Sequence, residues 1–424
     1  MPKMNFANRI IGSFVCHVLL FFMAEDAYGQ FTSSKSYTDE LARKVDSIVA
    51  FGIKERAFPG AQVLIYKNDS IRLSKSYGFH TYDSIVAVEN DHLYDLASVT
   101  KVLAGTLAFM KLYELYKIDL DQKVSDYVSL IRSGNKKNST FREVLSHQAG
   151  WLPYISHQNT VRRKSGRFRA RTLSHQKNKR FPTPIIDSLY IHRSYKKKIM
   201  RRIKRTPVQN VGKYRYSGLW FFLLPDLVKH LSGLSFEVFL KTHFYAPMGI
   251  ENLTFNPGYK FKKEVIVPTE RDSLFRRTLV HGWVHDEAAG LMGGVSGNAG
   301  LFANAESISK ILKMFLDNGY YNGKSYLKPE TVALFTSRAY PNSENRRGLG
   351  FDKPSIDSSS TERYPSAKCS PESYGHSGFT GNLVWVDPTH KCFMVFLSNR
   401  VYPSRKQTAL YDLNIRSEIL ELAY

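Results

Sequence analysis

The sequence predicts a mixed α/β fold of the α+β kind, with a sheet built from both ends of the chain and a helical block inserted between them. Two strand-like runs near each end of the chain predict the sheet. Apolar residues at helical spacing through the middle predict the block. At 424 residues, 43% apolar and 23% charged, the chain can fill a large core and is not of disordered composition.

Residues 61–67 (AQVLIYK) and 70–77 (SIRLSKSY) read as strands, with Asn68-Asp69 as the hairpin turn. Residues 92–97 are short and extended. Val99, Leu103, Leu107, Met110 and Tyr113 then recur at helical spacing, so a helix is expected from Val99 to Tyr116. Thr140 and Glu143 form a capping-box pattern ahead of Val144-Leu145. From about 100 to 250 the chain is expected to be mostly helical. Pro207 to Tyr216 reads as a loop, and 218–231 as a buried helix that Pro225 bends or breaks. Ser235 is placed to cap the next helix. Residues 288–301 (AAGLMGGVSGNAGL) carry five glycines and read as a tight loop. An amphipathic helix is expected at 305–316. Strands are expected at 383–386 and 392–398, separated by Asp387-Pro388. A closing helix is expected at about 406–422.

The N-terminus reads as a targeting segment. Lys3 and Arg9 flank the start of an apolar run at 10–24, and Ala27-Tyr28-Gly29 offers small residues at cleavage spacing. A secretory signal peptide over 1–29 is therefore expected, leaving Gln30 as the new N-terminus of an exported, periplasmic protein. The alternative is a membrane anchor, but the run is short for a span. Cys16 lies inside it. Cys369 and Cys392 can pair in an oxidising compartment if they meet. Three cysteines exclude a disulfide framework and an all-cysteine metal site. The phosphate-loop and His-Glu-x-x-His zinc signatures are both absent.

Charge is concentrated. Residues 155–206 hold 17 lysines and arginines against one acid, Asp187, within a chain of net charge +23. Such a run suits anionic envelope polymers, or is simply a solvated, partly disordered insertion. Nucleic acid is not expected as a partner, because no nucleic-acid-binding motif accompanies the charge.

Three places can carry chemistry. Ser98-Val99-Thr100-Lys101 puts a serine and a lysine on one helical face. A lysine in a dry cleft can activate a serine hydroxyl. This spacing alone is unspecific, since it recurs at Ser133, Ser174, Ser194, Ser307 and Ser325. Ser98 differs in following an extended stretch and opening a long apolar helix, where backbone N–H groups favour an anionic transition state. A plain N-cap serine is the alternative. Tyr216, in the loop Tyr214-Arg215-Tyr216-Ser217-Gly218, can serve as a general base if a lysine lowers its pKa, or can simply pack. Gly375-His376-Ser377-Gly378-Phe379-Thr380-Gly381 opens a strand whose edge can take an extended substrate. It also reads as a glycine-rich turn.

In this order the three motifs resemble those of the serine β-lactamases and penicillin-binding proteins. The Tyr and His-x-Gly versions resemble the class C-like branch, with its DD-peptidases, D-aminopeptidases and esterases. Leu145-Ser146-His147-Gln148-Ala149-Gly150 and the glycine loop from Gly293 to Phe302 are similar to that branch as well. The resemblance covers about residues 40–424. It implies an antiparallel sheet flanked by helices, an inserted all-helical part at about 98–254, and a cleft between them. It implies Ser98 as nucleophile, Lys101 as its activator and Tyr216 as general base and acid. His376 and Gly378 would border the substrate, and the N–H groups of Ser98 and Phe379 would form an oxyanion hole. No metal or cofactor is implied. Gly218 departs from the motif, which has Asn or Asp there to contact the lysine or the substrate amide; Asn210 is the nearby candidate to replace it. The expected activity is hydrolysis of D-amino-acid peptides, including peptidoglycan-derived ones, esters or β-lactams through a Ser98 acyl-enzyme. The alternative is a weak or inactive relative that binds anionic envelope polymers through its basic segment.

Overall fold

The computed structural model describes residues 39–356 and 363–424, so the expected signal segment lies outside the described residues. Residues 39–48 are helical. Within residues 49–424 the main sheet has five antiparallel strands: β1 (Gly60–Lys67), β2 (Ser70–Gly78), β3 (Tyr374–Ser377), β4 (Leu383–Asp387) and β5 (Cys392–Ser398). Their spatial order is β3-β4-β5-β1-β2, so both chain ends build it. In β1 and β5 nearly every residue is buried, which is why both read as largely apolar runs, β1 carrying one interior polar residue, Gln62. Edge strand β2 is more exposed. Asn68 and Asp69 both have positive φ (47° and 59°), the geometry of a two-residue turn matched to strand twist.

Helices α1 (Leu107–Tyr116), α2 (Tyr195–Arg205), α3 (Leu224–Ser232) and α4 (Ala305–Leu316) are the longest after residue 54. Helix α4 packs on β1, β4 and β5, with Ile308, Ile311, Leu312 and Phe315 buried. Asn304 caps it by accepting the Ser307 N–H. The Thr140–Glu143 capping box and the Ser235 cap are both present.

Three expectations need correction. The middle of the chain is not all helical: Leu173–Ser174, Leu189–Ile191 and Thr183–Ile186 form a small antiparallel sheet inside the basic segment. Their apolar residues are few and interrupted by turns, so periodicity gave no strand signal there. The stretch 218–231 is not one helix: a 3-10 turn at Trp220–Phe222 is followed by α3, which starts just before Pro225. Pro225 sits in the first turn of α3, where its missing N–H costs nothing. The closing helix is split into Ala409–Asp412 and Ile415–Glu421 by Asn414 in the left-handed region.

Candidate active site

Ser98 does not open an ordinary helix. A 3-10 turn at Ala97–Val99 leads into a π-helical stretch at Lys101–Thr106, and only then into α1. Ala97 has φ +44°, a conformation that costs a non-glycine residue about 1–3 kcal/mol. Asp95 holds it there. Its Oδ1 accepts the Ala97 N–H (2.8 Å) and its Oδ2 the His285 N–H (2.6 Å). Its carbonyl accepts from Thr380 Oγ1 and Asn382 Nδ2, each at 2.8 Å. One buried residue thus joins the Ser98 turn to residue 285 and to the β3–β4 connection.

Lys101 is buried, and its Nζ donates to Ser98 Oγ at 2.8 Å and to the Asn298 carbonyl at 3.2 Å. Tyr216 lies beside both, with Lys101 Nζ 5.3 Å from its ring centroid. Burial pushes the Tyr216 phenol up. The charges of Lys101 and Arg347 and the contacts with Ser98 and Lys101 outweigh it, so the net shift is down. That is the direction a general base needs.

The Tyr216 loop is set by the Leu145–Gly150 loop. Arg215 N–H donates to the His147 carbonyl (2.8 Å), and Ser217 N–H to His147 Nδ1 (3.2 Å). The His147 ring centroid is 4.6 Å from that of Tyr216. Burial pushes His147 well below its ordinary pKa, which suits an Nδ1 that accepts.

His376, on β3, is buried beyond the Tyr216 ring (centroids 6.1 Å apart). Burial, then the charges of Arg347 and Lys101, push it down to about 3, so its ring is neutral. Its Nε2 has no partner among the described residues. Gly378 follows, so close to the Ser98 turn that a Cβ there would lie 2.6 Å from the Leu96 oxygen. Next comes Phe379, which is 48% exposed. Among the described residues neither the Ser98 nor the Phe379 N–H has an acceptor, which leaves both free to donate to a substrate oxygen.

Ser98, Lys101 and Tyr216 open into a cavity of about 220 Å³, with Tyr154, His157, Asp286 and Asn298 on its other walls. His376 and Phe379 are outside that lining. Asn210 is exposed in a turn, and the side chains beside Gly218 are those of Asn298 and Lys101. Cys369 and Cys392 are unbonded.

Sequence reasoning passed over Asp95, Arg347 and Asn298. Arg347 is buried, its guanidinium 5.2 Å from the Tyr216 ring centroid and 3.2 Å from Asp352. It lies in the loop at 346–354 (RRGLGFDKP), where no sequence pattern marks it, and Asn298 is marked only as part of the glycine loop.

This arrangement suits acyl transfer through a serine. Comparison with known proteins agrees. The beta-lactamase family model matches residues 41–416. A protein of Escherichia coli O157:H7 named "Putative D-alanyl-D-alanine carboxypeptidase" is 30% identical over 372 residues, covering 82% of this chain and 79% of its own. One of the same name from Salmonella agona is 29% identical over 376 residues, covering 82% and 80%. A penicillin-binding protein homologue from Caulobacter crescentus shares the fold, with TM-score 0.63 and 15% identity over 91% of this chain and 98% of its own.

Proposed function

The chain belongs to the beta-lactamase family and is a serine hydrolase, and from that premise we propose that it is an exported peptidase cleaving peptides that end in D-amino acids. Ser98 Oγ attacks the scissile carbonyl and gives its proton to Tyr216. The resulting oxyanion is held by the N–H groups of Ser98 and Phe379. Collapse breaks the C–N bond, and Tyr216 returns the proton to the leaving amine. Water, deprotonated by Tyr216, then attacks the Ser98 ester; the acyl C–O bond breaks, the acid leaves, and Tyr216 returns the proton to Ser98 Oγ. Lys101 holds both Ser98 Oγ and the charge on Tyr216. Neutral His376 and buried His147 lie against the Tyr216 ring.

The observation that carries this reading is the 2.8 Å contact between Lys101 Nζ and Ser98 Oγ, beside a phenol pushed down in pKa. The names of the relatives support a D-alanyl-D-alanine peptide over an ester as the natural substrate. Export rests on the N-terminal apolar run, and a mature N-terminus at Gln30 is its test.

The test of the reaction is intact mass after incubation with a penicillin and with an activated ester, beside Ser98→Ala. A mass gain on the wild-type protein that the variant lacks is expected, together with release of D-alanine from a D-Ala-D-Ala peptide. If neither reagent labels the protein between about pH 6 and pH 10, the hydrolase mechanism fails. Gly218 favours a second reading in that event: an inactive relative that binds anionic envelope polymers through its basic segment.

A further inference from the structure

We infer that Asn298 supplies, from the glycine loop, the substrate-binding carboxamide that residue 218 lacks. The inference rests on the peptidase reading above and names a further specificity residue for it. A Cβ built on Gly218 would lie 3.9 Å from Asn298 Cβ and 3.9 Å from Lys101 Cε. Asn298 therefore borders the space that a side chain at 218 would enter, beside the same lysine. It is 6% exposed, yet it lines the cavity with Ser98, Lys101 and Gly218.

Its groups divide the work. The carbonyl accepts from Lys101 Nζ at 3.2 Å and so fixes the lysine. Side-chain Oδ1 accepts from Ser296 Oγ at 2.6 Å, which orients the carboxamide. Among the described residues Nδ2 donates to no protein acceptor, and it is not wholly sealed from solvent. An oriented N–H donor without a partner, on the wall of the cavity that holds the nucleophile, fits a carbonyl oxygen. In a peptide substrate the carbonyl at hand is that of the amide on the acyl side of the scissile bond. A small activated ester has no such group.

The experiment compares Asn298→Ala with the wild-type protein on two substrates: an N-acyl-D-Ala-D-Ala peptide and p-nitrophenyl acetate. Expected is a fall in kcat/KM on the peptide of about 10- to 100-fold, the worth of one buried hydrogen bond. On the ester the loss is at least about fivefold smaller, because the main-chain carbonyl that fixes Lys101 remains in alanine, and an unchanged thermal midpoint shows that the variant is folded. The double variant Gly218→Asn/Asn298→Ala then recovers at least about tenfold on the peptide, because the carboxamide returns from the other side of the same space. Equal losses on both substrates, no loss on the peptide, or no recovery in the double variant would overturn the inference. Wild-type protein that cleaves the ester but not the peptide refutes the peptidase reading and this inference with it. Wild-type cleavage of both, with an unmoved ratio in the variant, refutes the inference alone.

Discussion

Around Ser98, the side chains of Lys101, His147, Arg347 and His376 are packed almost wholly out of water. In residues 155–206, seventeen cations share one acid and most of them are exposed. The first region has few charges, and each is tied to a stated partner: Lys101 to Ser98 and Asn298, Arg347 to Asp352. The second has many, with ion pairs such as Lys196–Asp226 (2.7 Å) at its margin. Coulomb interactions strengthen as water leaves, so one buried charge can set the protonation of a neighbour. Exposed charges are screened within about 8–10 Å and act only as a summed field. Chemistry therefore depends on the few buried groups, and the many exposed ones are free to serve attraction.

The largest break in this comparison is expected at Asp95. Its carboxylate accepts two buried N–H groups, from Ala97 and His285, and its backbone carbonyl holds the β3–β4 connection through Thr380 and Asn382. Asp95→Ala orphans both donors, at about 1–3 kcal/mol each. It also removes what holds Ala97 at positive φ. A drop of about 2–6 kcal/mol in unfolding free energy is expected from denaturant titration, with hydrolysis falling further than stability alone accounts for. Asp95→Asn keeps one acceptor oxygen and should recover part of both losses.

Arg347 comes next. Its charge helps hold the Tyr216 phenol below the usual range. If the phenolate is the base, the rate rises with pH through that lowered pKa and levels off above it. Arg347→Met removes one of the causes of the shift, so the rising limb moves to higher pH. Each unit of movement costs about tenfold in kcat/KM at a pH below the limb and nothing on the plateau. The measurement is kcat/KM against pH for both proteins. A uniform loss at all pH values would instead mark Arg347 as a packing residue.

Much of this was legible beforehand, for physical reasons. β1, β4 and β5 are buried on both faces, so their sequences are largely apolar, with Gln62 the one interior polar residue of β1 and turn residues at the ends. Helix α4 has an apolar stripe and a capping asparagine, and its bounds match the sequence reading. β3, by contrast, is Tyr-Gly-His-Ser, with no pattern to mark it; only pairing with β4 makes it a strand. The π-helical stretch after Ser98 is equally invisible, since its apolar residues pass for α-helical spacing. At the site, Ser98, Lys101 and Tyr216 could be read because short motifs carry them. Asp95, Arg347 and Asn298 could not, because the contacts that tie them to the site span long chain separations: Asp95 to His285 and Thr380, Arg347 to Tyr216, and Asn298 to Lys101. The gap at Gly218 shows the limit most plainly. Sequence proximity pointed to Asn210, and the fold brings Asn298 instead.

The smallest effect on catalysis is expected where the charge is greatest. Lys197, Arg201 and Arg205 lie four residues apart on α2 and are all exposed, while Tyr195, Ile199 and Ile203 turn inward. The triple change to glutamine removes three charges from one exposed stripe without touching the core. Turnover of a small ester should stay within about twofold, because screened surface charges do not reach the buried site. Retention on a heparin column, used as a polyanion probe, should fall, with elution at lower salt. The two readouts together sharpen the comparison. Unchanged turnover with weakened retention means that attraction and chemistry are separable in this chain. A loss of ester turnover beyond about threefold would mean that the basic segment, whose first residues Ile155 and His157 line the cavity, shapes the cleft itself.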